Sequence, residues 1–192
     1  MPTAIDVSSV VGLVALGGFT IQILLGLLLS VGYNPLRQWP RQRVKLFTFH
    51  NWLGYLSLAT ALTHPLILLL SSTAKFTLLD IFVPINAPTQ AFESTLGAIA
   101  FYILATVVLT SYFRRLFAHH TWKLLHYLSY VGAAVFFTHG LIEDPNLKSL
   151  PIDWIDGEKV YIEVCALLIV AATIVRYRHR LGPRGVALSR RA

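Results

Sequence analysis

The chain has 192 residues, 55% of them apolar and only 13% charged, with a formal net charge of +7. That is about half the charged share of an ordinary soluble domain and excludes a standard water-soluble globule. One cysteine, Cys165, excludes an internal disulfide, a CxxC thiol pair, a cysteine zinc knuckle and the CxxCH attachment of a covalent haem.

A helix needs roughly 20 mostly apolar residues to cross ~30 Å of hydrocarbon. Five runs meet that length: 7–31, 46–70, 94–112, 121–142 and 157–175. The first three carry no charge, the fourth only Lys123 at its start, and the fifth three charges confined to its first seven residues. No Lys or Arg precedes the first run, which is also too long for the core of a secretory signal, so it reads as a retained helix. The expected fold is an all-α polytopic membrane bundle of five helices. Two modest loops, 71–93 and 143–156, and a tail from Arg176 remain, and none has room for a nucleotide-binding domain.

Positive residues near helix ends stay cytoplasmic. With the N-terminus outside and the C-terminus inside, the inner side holds Arg37, Arg41, Arg43, Lys45, Arg114, Arg115, Lys123, Arg176, Arg178, Arg180, Arg184, Arg190 and Arg191. The outer side then holds only Lys75, Lys148 and Lys159, together with all nine acidic residues. Topology and anionic lipid account for the basic patches, and no nucleic acid is expected. Trp39, Trp52 and Trp122 near the inner boundary and Trp154 near the outer one read as interface anchors, with an electron-relay role for Trp52 or Trp122 as the sharper alternative.

Four of the seven histidines lie inside apolar runs: His50 and His64 in the second, His126 and His139 in the fourth. An ionisable side chain at such depth marks a functional site by default. Both helices run from inside to outside, which places His50 and His126 near the inner leaflet and His64 and His139 ~20 Å further out. Two imidazoles facing each other at one depth suit axial ligation of a haem iron, and two such pairs suit two stacked haems. Fourteen residues leave His64 about 40° from the face of His50, whereas thirteen leave His139 about 140° from His126. The second interval therefore calls for a kink, a π-bulge or approach from different sides of the helix, with Gly132 midway as the point of deformation or of close approach of a macrocycle. Thr63 and Thr138 read as bonding to their own helix carbonyls, and Pro65 as kinking its helix. Gly12, Gly17, Gly18 and Gly26 in the first helix read as points of close helix packing. His119 and His120 read as solvated residues at the inner interface, with haem propionate contact as the alternative.

Phe49-His50-Asn51-Trp52-Leu53-Gly54, fourteen residues from His50 to His64, then Trp122-Lys123-Leu124-Leu125-His126 and thirteen residues to His139, resembles the ferric reductase-like transmembrane domain. That family includes NADPH oxidases, ferric reductases and the haem-binding membrane subunit of bacterial methionine sulfoxide reductase. The resemblance implies two b-type haems, the inner on His50 and His126, the outer on His64 and His139, and a tolerated thirteen-residue spacing. It covers nearly the whole chain, from the first helix to the fifth, and the expected domain organisation is a single haem domain over 1–192. The oxidases continue into a flavin and NADPH domain, whereas this sequence stops at Ala192 and has no G-x-G-x-x-G after a strand, so it is most similar in form to the stand-alone subunit.

The expected function is electron transfer across a membrane, by expectation the bacterial inner membrane. Donors would be a cytoplasmic flavin reductase with dissociable FMN or FAD, another flavoprotein, or quinol. Acceptors would be a periplasmic oxidoreductase, ferric iron or a quinone. The alternatives are a quinone-linked cytochrome b anchor of a respiratory complex and, in another class, a His-lined metal or proton transporter.

Overall fold

The computed structural model describes residues 2–31, 45–148 and 151–181, so Arg37, Trp39, Arg41 and Arg43 of the expected inner loop and Arg184, Arg190 and Arg191 of the tail lie outside it. Within the described residues the fold is helical with no strand: α1 (Ala4–Ser30), α2 (Leu46–Ile67), the short α3 (Leu78–Phe82), α4 (Ala91–Tyr112), α5 (His119–Ile142) and α6 (Gly157–Leu181). Five of these are long and apolar enough to span a bilayer.

Local chemistry sets the helix ends. α1 starts three residues before its expected position because Thr3 and Asp6 form a reciprocal capping box, with the Thr3 N–H donating to Asp6 Oδ2 at 2.7 Å and the Asp6 N–H to Thr3 Oγ1 at 3.2 Å. α4 and α5 likewise begin three and two residues early. Pro65 sits inside α2, which gives way two residues later to a 3-10 turn over Leu68–Leu70. Hydroxyls within the spans donate to carbonyls one turn back, among them Thr63 to Ala59 and Thr138 to Ala134, both at 2.8 Å, so neither threonine needs another partner in lipid.

α1 is the central element. Ala15, Leu16, Phe19, Ile23 and Leu27 meet Ala61 of α2, Leu104 of α4, Ala133 and Phe137 of α5, and Ile162, Cys165 and Ile169 of α6 in one continuous core. α1 packs chiefly on α2 and α6, and α4 on α5. The opposite helix faces expose apolar side chains such as Val10, Leu56, Leu109, Leu124 and Leu167, which suits contact with lipid.

The stretch read as a loop, 71–93, contains α3. Thr77 and Asp80 form a second capping box, and Phe76 and Ile81 join Leu68 and Ala74 in a small core of their own. Tyr102 of α4 donates to the Phe82 carbonyl at 2.6 Å, and the buried Gln90 pairs in both directions with the backbone of Asp144. These bonds fasten the segment as a cap over one end of the bundle.

Candidate functional site: two histidine pairs

The structure brings the four span histidines together two by two. His50 of α2 and His126 of α5, called the inner pair after the expected orientation, have ring centres 6.3 Å apart, and His64 and His139, the outer pair on the same two helices nearer the cap, 6.4 Å apart. Two imidazoles that share one metal on opposite sides, at a metal–nitrogen distance of ~2.0–2.1 Å, hold their ring centres about 6.3 Å apart. α5 is helical without a π segment throughout, so the thirteen-residue interval is taken up without a π-bulge. Gly132 lines the cavity beside the outer pair, and its bare Cα accommodates Ile103 of α4: a Cβ there would stand 3.0 Å from Ile103 Cγ2.

Each ring is positioned by the helix next to its own. His64 Nδ1 donates to the Ser8 carbonyl of α1 at 2.7 Å, and His139 Nδ1 to the Glu93 carbonyl of α4 at 2.9 Å. His126 Nδ1 lies 3.1 Å from Ser111 Oγ of α4, and His50 Nε2 lies 3.3 Å from Gln22 Nε2 of α1. The carbonyl acceptors fix Nδ1 as the donor in His64 and His139, and engagement of Nδ1 leaves Nε2 of His64 and His126 for a metal, as neighbours of metal-bound imidazoles do. His50 is the exception, held at Nε2 with Nδ1 unpartnered.

Glycines supply the room. A Cβ on Gly12 would stand 3.0 Å from His64 Nδ1, one on Gly26 3.3 Å from His50 Cε1, and one on Gly97 2.8 Å from His139 Cε1. Helix α1 thus repeats a polar residue and a glycine four positions on, Ser8 with Gly12 and Gln22 with Gly26. The repeat interval of fourteen equals that between His50 and His64 on the antiparallel α2. The expected close packing at Gly12 and Gly26 is therefore packing against imidazole, while Gly17 faces Tyr161 and Gly18 faces Ser57.

Around the inner pair lies a cavity of about 390 Å³, reached by Gln22, Ser57, Ser111, Trp122 and Arg176 as well as the two histidines. Among the described residues six buried side-chain atoms lack a hydrogen-bond partner, and five of them, Gln22 Oε1, His50 Nδ1, Ser57 Oγ, Trp122 Nε1 and Arg176 Nε, belong to residues lining this cavity. Such atoms are costly unless a ligand or water meets them. Two smaller cavities of about 70 Å³ border the outer pair, one toward α4 and the cap, the other toward α1 and α6.

Two residues at the outer pair were not singled out in the sequence as part of a site. Glu143, four residues beyond His139, places Oε2 3.0 Å from His139 Nε2, and one ligand atom each of His64, His139 and Glu143 lie within 4.8 Å of one another. Burial alone would raise the Glu143 carboxyl, but His139, His64 and Lys159 outweigh it and hold it below the ordinary carboxylate range. Lys159 of α6, only 5% exposed, donates to the carbonyls of Gly140 at 2.8 Å and Glu143 at 2.5 Å and so closes the C-terminal end of α5. The i, i+4 spacing of His139 and Glu143 was the available signal; nothing in the sequence pointed Lys159 at α5.

The remaining aromatic candidates separate. Trp52 is 67% exposed on the outward face of α2, as an anchor would be, whereas Trp122 lines the inner cavity. His119 and His120 are both exposed, but His119 also borders that cavity.

The family model for the ferric reductase like transmembrane component matches residues 11–137. The chain belongs to that family. Its members usually bind haem, and membership points to an integral membrane protein in transmembrane electron transfer. The match contains His50, His64 and His126 and ends two residues before His139. A search of curated proteins and a search of solved structures found no match.

Proposed function

We propose that this ferric reductase-like chain moves electrons across the bacterial inner membrane between two b-haem sites, the inner held by His50 and His126, the outer by His64 and His139. The observation that carries the reading is the pair of ring separations, 6.3 and 6.4 Å, at two levels of one bundle. The unpartnered polar atoms and the size of the inner cavity, within the ~300–1,000 Å³ usual for ligand pockets, support a bound group there.

Haem bound at each pair would supply a one-electron iron couple. With two imidazoles held to each iron no position would remain for a substrate, so exchange with donor and acceptor would be outer-sphere. Ser8, Glu93 and Ser111 hold three of the rings by Nδ1, and Glu143 must release His139 Nε2 before that nitrogen meets a metal. The whole chain, 1–192, serves as the membrane domain, N-terminus outside and C-terminus inside, since Lys45, Arg114, Arg115, Lys123, Arg176 and Arg178 cluster at the inner end. The donor is a reduced flavin, free or on a cytoplasmic flavin reductase, and the acceptor a periplasmic oxidoreductase or ferric iron near the acidic outer loops.

A pyridine haemochrome assay on fully loaded protein tests this, with two extractable b-type haems per chain expected. His64→Ala or His139→Ala should remove one haem and leave the other reducible, whereas His50→Ala or His126→Ala should remove the other and block reduction from the inner side. One haem per wild-type chain, or unchanged content in all four variants, overturns the reading.

A further inference from the structure

We infer that electrons reach the inner pair along a stack of three rings on α5, His119, Trp122 and His126, whose exposed first ring receives a reduced flavin; the inference rests on the function proposed above and names its donor-side path. Positions 119, 122 and 126 share one face of the helix. Trp122 and His126 stack with ring centres 5.2 Å apart and 28° between planes, and His119 and Trp122 lie 5.9 Å apart at 33°. His126 is tied at Nδ1 to Ser111, which leaves its ring face to Trp122. Burial falls along the series, from the half-buried His126 and Trp122 to the exposed His119, so the stack runs from the pair to the solvent. All three rings line the same cavity.

The mouth of that path suits a planar anion. Arg114 and Lys123 are exposed and line the same cavity as His119, with Arg114 over the Phe47 ring at 5.2 Å, and they would supply positive charge for a flavin phosphate while the ring system lies on His119. Trp52, the other described tryptophan at this end, packs edge-on against Tyr55 at 5.9 Å and takes no part in the stack. In each transfer the reduced flavin would lose one electron and release a proton to the solvent, the electron reducing the oxidised haem that His50 and His126 would hold.

Stopped-flow reduction of the haem-loaded chain by reduced FMN tests the path, with haem content and midpoint potentials measured on each variant. His119→Leu should retain haem and potentials while its reduction slows several-fold. His119→Phe, which keeps a ring, should recover most of the rate. The inference is overturned if His119→Leu is reduced at the wild-type rate, if His119→Phe is as slow as His119→Leu, or if His119→Leu loses haem, which would make His119 a structural support. A wild-type chain that binds no haem would instead sink the underlying function, and this path with it.

Discussion

Ser8 and His64 exchange hydrogen bonds in both directions across the α1–α2 contact: Ser8 Oγ donates to the His64 carbonyl and His64 Nδ1 donates to the Ser8 carbonyl, both at 2.7 Å. The ring is held at its edge and lies against Gly12, and His139 is held in the same manner by Glu93 and Gly97. Because these rings are tied they cannot swing away from a new side chain. Gly97→Val should therefore remove the outer haem and leave the inner one, halving the haemochrome yield per chain. Gly157→Val, where a Cβ meets nothing within 4 Å, is the control and should keep both haems.

Lys159→Met leaves the Gly140 and Glu143 carbonyls without their charged donor. Hydrogen bonds to charged groups contribute roughly 1.5–3 kcal/mol, and a loss of that size should appear in thermal unfolding in detergent. The variant also removes a positive charge beside the outer pair. Since that charge favours the reduced state, the outer midpoint potential should fall while the inner one stays fixed, as spectroelectrochemical titration would show.

Gln90→Ala removes two buried bonds, Gln90 Nε2 to the Asp144 carbonyl at 2.9 Å and the Asp144 N–H to Gln90 Oε1 at 2.8 Å. Each buried backbone group left unsatisfied costs about 1–3 kcal/mol. The cap should loosen before the spans do. Faster amide exchange or proteolysis in 71–90, with the helices still protected, is the expected result.

The cap also responds to acid. The Thr77 hydroxyl and backbone N–H donate to Asp80 and hold its carboxyl below the ordinary 3.8, so Asp80 stabilises the start of α3 once ionised. That contribution is present above pH 3.8 and lost as the pH falls through the lower folded value. Exchange of α3 amides should rise in that acid range, and Asp80→Asn should abolish the pH dependence.

The spans were legible because bilayer thickness dictates the length of an uncharged run, and run length survives any detail of packing. Their first residues were not, since Thr3 and Gln90 extend α1 and α4 through local turn geometry outside the apolar pattern. The pairing of His50 with His126 and of His64 with His139 followed from equal depth on two parallel helices. Which groups would hold the rings did not, because Ser8, Gln22, Glu93 and Ser111 act through the register of neighbouring helices. Even so, the fourteen-residue repeat of Ser8 and Gly12 as Gln22 and Gly26 stood in the sequence beside the same interval in α2. Helix α3 was read as loop because five residues carry no periodicity, although Thr77-x-x-Asp80 is a capping-box pattern.

Phe19, 3% exposed at mid-bundle, lines both the inner cavity and the outer one and meets Phe136 edge-on at 5.8 Å, with Leu104 the other core residue common to the two. A wall of benzene rings and a leucine offers nothing that can hand on a proton. On the proposed orientation, charge that crosses here crosses alone, and each outward electron is a current that lowers an inside-negative membrane voltage. That voltage in turn favours the crossing by up to ~2.3 kcal/mol per 100 mV for a charge that traverses the full field. Turnover in energised vesicles should thus run ahead of turnover in vesicles made leaky with an ionophore, and the bundle would act as a voltage-assisted conductor.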